Sequence, residues 1–141
     1  MHGRFKPAPA NIANHERSAA VNEGEEMQVT HLRDAHAYMA PLHHDVLGLR
    51  LQGHDATHTK SFWVGLSYFL PGGCADRSVT PFEKVYVVVE GELTLTTDEN
   101  EQVLCALDSC VIPAGEYRAI VNRTNRVASM LVIIPYASTP E

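Results

Sequence analysis

The chain has no long hydrophobic run. Nowhere do about 18 consecutive apolar residues occur, so no membrane-spanning helix and no membrane partner are expected. The stretch up to Asn14 carries Arg4 and Lys6 but lacks the apolar segment of a secretory leader, which gives a cytoplasmic expectation. Basic residues are also scarce: 11 Lys and Arg stand against 17 Asp and Glu, for a net charge of −6. That balance leaves no basic footprint, and no nucleic-acid partner is expected. Cys74, Cys105 and Cys110 are the only cysteines. Three thiols cannot all pair within one chain and none forms CxxC, so they are read as reduced and structural, with Cys74 in a Gly-rich turn as the exposed exception. No histidine lies close to them in sequence to activate a thiolate. Histidine is missing from the entire second half, since all eight lie at or before His58.

What is present reads as one β domain. At 141 residues with 45% apolar and 20% charged residues, the chain has the length and balance of a single globular domain. Residues 1–27 are polar, with Pro7, Pro9 and an acidic run at Glu23, Glu25 and Glu26, and are expected to form an arm, either a flexible tail or a segment pairing with a neighbouring subunit. Residues 28–141 form the domain. Val46 to Gln52 suggests a short strand. Ser61 to Leu70, rich in aromatic and β-branched residues, reads as another, ended by Pro71-Gly72-Gly73. Lys84 to Val89, Glu92 to Thr97, Val103 to Ala106, Ser109 to Ile112, Tyr117 to Asn122 and Ala128 to Pro135 continue a series punctuated by Asp98-Glu99-Asn100, Pro113-Ala114-Gly115 and residues 122–125. Many short strands without a helical pattern predict an all-β sandwich or barrel.

Within residues 61–136 two spacings stand out. Gly72, Ser78, Thr80, Lys84 and Gly91 follow G-x5-H-x-H-x3,4-E-x6-G without a gap. Leu107, Pro113, Gly115, Arg118 and Asn122 follow G-x5-P-x-G-x2-H-x3-N. The chain thereby resembles the cupin superfamily, which implies a single cupin jelly-roll β-barrel with an irregular N-terminal arm. The scaffold glycines and prolines are kept, as turns needing φ > 0 or rigid corners require; Leu107 replaces one glycine.

In metal-binding members of the family the two histidines, the glutamate and the third histidine of these motifs converge on an Fe, Mn, Ni or Zn ion. Here those positions hold Ser78, Thr80, Lys84 and Arg118. Hydroxyls bind transition metals poorly and two cations repel them, so no metal and no other cofactor is expected at the family's site. A relocated site from His43, His44, His54 and His58 has no helix-borne ligand spacing behind it.

Strand alternation in the register the resemblance implies puts Ser78, Thr80, Lys84 and Tyr86 on one inner face and Arg118 and Asn122 on a facing strand. Two cations in a barrel need an anion. If it is internal, Asp76, Glu83 and Glu116 are the candidates, although Glu83 has the wrong parity. If it is a ligand, the site takes an anionic small molecule, an organic acid or sugar derivative. Lys84, Tyr86 and Arg118 are then the candidate catalytic residues of a metal-independent lyase or isomerase with an enolate-like intermediate. Ser78, Thr80, Asn122, Trp63 and His54 are the candidate ligand contacts. Any His/Asp pair would come from His54 with Asp55, or from His43 or His44 with Asp45. A non-catalytic sensing module and a scaffold with a vestigial pocket are the competing readings. The more apolar face of the 61–70 strand is Phe62, Val64, Leu66, Tyr68 and Leu70. A homodimer through sheet edges is expected from the resemblance.

Overall fold

A computed structural model describes residues 26–137; the arm expected over residues 1–27 lies almost wholly outside them. One 3₁₀ turn (Leu32–Asp34) precedes nine strands: β1 (Ala37–Tyr38), β2 (His43–Gln52), β3 (Phe62–Ser78), β4 (Lys84–Glu90), β5 (Glu92–Thr97), β6 (Glu101–Cys105), β7 (Ser109–Ile112), β8 (Arg118–Val121) and β9 (Ala128–Pro135). All pairs are antiparallel. The order β6-β5-β8-β3-β9-β4-β7, with β2 and β1 added beside β3, makes a nearly closed antiparallel barrel, as a jelly roll requires. No described helix is long and apolar enough to cross a membrane.

The largest departure from the sequence reading lies in β3. Pro71-Gly72-Gly73 does not end the strand but bends it. Residues 62–69 pair with β9, and beyond the bend Cys74, Ala75 and Ser78 pair with β8. One strand therefore serves both walls of the barrel. Gly72 makes the corner possible with φ +80°, and Gly73 passes so close to β2 that a Cβ there would sit 2.5 Å from the Asp45 carbonyl. Asn122 stitches the corner shut. Its backbone accepts from Gly72 N–H at 2.8 Å and donates to Gly73 O at 2.9 Å. Its side-chain amide donates to Phe69 O and Arg126 O, while Oδ1 accepts from the backbone and hydroxyl of Thr124.

The core is Phe69, Val88, Leu93, Leu95, Ile120, Ala128 and Met130 with their neighbours, all buried. On β3 the inward face is Trp63, Gly65, Ser67 and Phe69. The face that looked more apolar includes Phe62 and Leu70, each about half exposed at 47% and 49%. The reason is that the barrel interior at this end is a cavity, so its lining does not have to be greasy. Gly91 and Gly115 have φ of +78° and +81°, as the turn reading expected, and Leu107 adopts φ +71° where the motif has glycine. Cys105 is exposed, contrary to the buried expectation, because it ends the outermost strand of its sheet; Cys74 and Cys110 are half-buried, and all three are free thiols.

Candidate functional site

The barrel encloses a cavity of about 370 Å³, at the small end of ligand pockets and suited to a molecule of sugar size. Strand pairing builds its lining row by row. Arg50 on β2 faces Gly65 on β3, Gly65 faces Val132 on β9, and Val132 faces Tyr86 on β4. Trp63 and Ile134 form the adjoining row beside Lys84. Arg118 and Ile120 reach in from β8 on the other wall.

Six of the residues singled out from the sequence line this cavity: Lys84, Tyr86, Arg118, Thr80, Trp63 and His54. Ser78 pairs with Arg118 in the ladder but lies outside the lining. Asn122 lies outside it as well; it is fully buried and its amide is consumed by the corner just described. Thr80 turns its hydroxyl to Phe82 O at 2.9 Å.

Lys84 is 2% exposed and Arg118 7%. Arg118 Nε donates to Tyr86 Oη at 2.7 Å, and a terminal nitrogen donates to the backbone carbonyl of Asp76 at 3.1 Å. The Asp76 carboxylate does not answer the charge; it bonds His44 Nε2 at 2.8 Å. Among the described residues no carboxylate lies within ion-pair distance of Lys84 or Arg118. Glu83 and Glu116 are therefore not their partners. Burial, with Arg118 nearby, pushes the Lys84 ammonium down to about 8. Burial raises the Tyr86 hydroxyl above its ordinary value, so Tyr86 is a neutral donor that already accepts from Arg118.

Two lining residues, Arg50 and Tyr38, were not singled out from the sequence, and a third, His43, was named only as one half of a pair with Asp45 or of a relocated metal site. His43 Nδ1 lies 2.7 Å from Pro41 O. A carbonyl only accepts, so the proton is on Nδ1 and a neutral ring carries its lone pair on Nε2. Burial first, and Arg118 further, lower the His43 pKa below its ordinary 6.5, keeping the ring neutral near pH 7. Arg50 and Tyr38 sit at the far end, where Arg50 lies 3.9 Å from the Tyr38 ring centroid and 4.8 Å from that of Trp63. His54 packs edge-on against Trp63 and Tyr136, and burial chiefly, then Arg50, lowers its pKa. The signal for Arg50 was the alternation Val46-x-Gly48-x-Arg50; on sequence alone the stretch from Val46 to Gln52 reads only as a short strand.

The His/Asp pairs also differ from those expected. His44 pairs with Asp76 and His36 with Asp55, the latter at 3.4 Å. Among the described residues no three His, Cys, Asp or Glu side chains converge as a metal cage. The family's ligand positions, as hydroxyls and cations, do not fit a metal ion.

Comparison with known proteins agrees with the geometry. Residues 65–134 match the family described as Cupin domain. The chain is 48% identical over 110 residues to the protein named Beta-D-galactosidase Rv1717 of Mycobacterium tuberculosis, covering 78% of this chain and 95% of that relative. Among solved structures, the polyketide cyclase RemF from Streptomyces resistomycificus superposes with TM-score 0.72 at 19% identity, covering 82% of this chain and 83% of that one. An RmlC-like cupin from Shewanella frigidimarina gives TM-score 0.65 at 16% identity, covering 79% and 93%. These two show a shared fold. Motif spacing, barrel topology and matched relatives agree: the chain belongs to the cupin superfamily.

Proposed function

We propose that the cavity is a metal-independent site for an anionic sugar derivative, and that it abstracts the proton on the carbon next to the ligand's carboxylate. The observation that carries this reading is a lining with two buried cations, Lys84 and Arg118, but, among the described residues, no Asp or Glu. Buried positive charge without an internal partner is costly, and a bound carboxylate relieves it.

Each group then has a task. Arg118 and Lys84 hold the carboxylate and stabilise the negative charge that moves onto it as the proton leaves, the situation in which fixed cations lower a barrier most. Tyr86 adds a hydrogen bond from its own hydroxyl. His43 takes the proton on Nε2, leaving an enediolate. Delivery of a solvent proton to the opposite face of the same carbon, with His43 releasing its own proton to solvent, gives an isomerase. Expelling an oxygen substituent one carbon further on gives a lyase: the C–H pair becomes a C=C bond, the C–O bond breaks, and the leaving oxygen takes a proton back from His43. When the substituent is a sugar, this elimination opens a glycosidic linkage without a water nucleophile. That links the reading to the relative named as a galactosidase, because the carboxylate pair of ordinary glycoside hydrolysis has no counterpart on this lining.

Galacturonate in D₂O tests the reading by NMR. The expected result is loss of the proton signal at the carbon beside the carboxylate, abolished in His43→Gln while binding persists, and binding itself lost in Lys84→Met. Tight binding with no exchange in wild type would sink the enzyme and leave a sensing module.

A further inference from the structure

Arg50 is the cation that this reaction does not use. It lies in the same cross-strand row as Tyr86, with Gly65 and Val132 between them. Three strand spacings separate the two, about 14 Å along the sheet. Arg50 therefore enters the cavity from a different strand than Tyr86 and Arg118, and the charge that Lys84 feels is Arg118 and not Arg50. Gly65, between them in the row, leaves room for the Tyr38 hydroxyl, which lies 2.7 Å from where a Cβ would stand.

The surroundings of Arg50 hold the guanidinium still without neutralising it. Tyr38 and Trp63 meet edge-to-face at 88° and the guanidinium nests in their corner. Aromatic faces fix the plane of an arginine and leave its N–H edges for a planar oxyanion. Among the described residues no carboxylate is within ion-pair distance of Arg50. The carboxylate that does sense it, Asp55, is bonded to His36. The neighbouring ring, His54, has its pKa lowered and so adds no competing charge near pH 7.

We propose that Arg50 forms a second anion-binding subsite, and that the ligand is a sugar acid carrying a second anionic group at its other end. The inference rests on the assignment of Lys84 and Arg118 to the first carboxylate. It adds that the cavity reads both ends of the molecule. The second group is a carboxylate or a phosphate, and both satisfy the forked donor geometry of an arginine.

Calorimetry with three probes of one carbon skeleton tests this: galactonate with one anionic group, galactarate with a second carboxylate, and 6-phosphogalactonate with a phosphate. The expected result is that wild type binds at least one of the doubly anionic probes ten-fold or more tighter than galactonate. Arg50→Gln should erase that gain and leave galactonate affinity unchanged, whereas Lys84→Met should weaken all three. If wild type binds galactonate and neither second anion adds affinity, the subsite is overturned and the Lys84 and Arg118 assignment survives. A uniform loss for all three probes in Arg50→Gln would equally overturn it, since that is the behaviour of an arginine that only glues Tyr38 to Trp63. Failure of every probe to bind wild type would overturn both assignments. The comparison of probes on wild type stands even if Arg50→Gln does not fold.

Discussion

Replacing Lys84 by methionine should make the protein more stable and deprive it of its ligand. The ammonium is 2% exposed and, among the described residues, has no carboxylate partner. Its pKa is held at about 8 against an ordinary 10.5. The unfolded chain binds this proton more tightly than the folded one, so stability is withheld below pH 8 and recovered as pH rises toward 10.5. The amount withheld at neutral pH is about 3 kcal/mol. Methionine has a similar length and no charge, so Lys84→Met should gain about 2–3 kcal/mol at pH 7, which for a chain of this size is a rise in Tm on the order of 10 °C. Urea unfolding of both proteins from pH 7 to pH 10.5 is the decisive assay. The difference should be largest below pH 8 and shrink above it, while galacturonate binding disappears from the variant at every pH. A variant that is no more stable at pH 7, or a gap that does not change with pH, would refute the argument, because it would mean that the ammonium is already solvated or paired.

The same titration governs binding in wild type: affinity for galacturonate should be flat below about pH 8 and fall roughly ten-fold per pH unit above it, as the free site loses the proton that the anion needs. A Kd unchanged between pH 7 and pH 9.5 would exclude Lys84 from the site. Asn122→Ala removes two donated and two accepted bonds from a fully buried corner, for an expected loss of about 3–5 kcal/mol by urea unfolding. The part of the sample that folds should bind galactonate with unchanged Kd; a loss under about 1 kcal/mol would show that the corner holds without it. Leu107→Gly should stabilise by about 1 kcal/mol, because Leu107 has φ +71°, is 81% exposed and gives up almost no contact. A lower midpoint in the same assay would contradict the strain.

The barrel was legible because its punctuation is chemical. Gly91 and Gly115 sit at positive φ, and few other residues satisfy those turns, so their spacing carries the fold even where the ligand residues have changed. Lys84, Tyr86 and Arg118 were legible for a related reason: strict alternation on uninterrupted strands puts each on the inner face. Asn122 shows the limit of the same logic. Its inward parity is correct, yet its amide goes to Phe69 O and Arg126 O. Parity gives a side chain's direction but not what it finds there.

His43 was named from the sequence but not placed on the cavity, because its strand breaks its own alternation. Arg50, Gly48 and Val46 share one face with the cavity and core, so unbroken alternation would turn His44 inward and His43 out. The structure does the reverse. Asp45 has φ +54°, and the pairing of β2 with β3 slips between His44 and Val46. Here His44 faces Cys74 but Val46 faces Phe69, so two residues of β2 span five of β3, and an odd mismatch of this kind exchanges the two faces of everything before it. It swings His43 onto the cavity and sends His44 out to Asp76. The mismatch sits opposite the bend at residues 70–73 of β3, where the backbone of Gly73 crosses that of Asp45 closely enough to leave no room for a Cβ. The corner that makes the jelly roll is thus also what aims the base. Widening it with Gly73→Ala should therefore reduce exchange at the carbon beside the carboxylate more than it reduces galacturonate binding, since His43 is displaced while Lys84 and Arg118, on β4 and β8, are not. Equal losses in both would show that the corner sets the whole cavity and not the histidine alone.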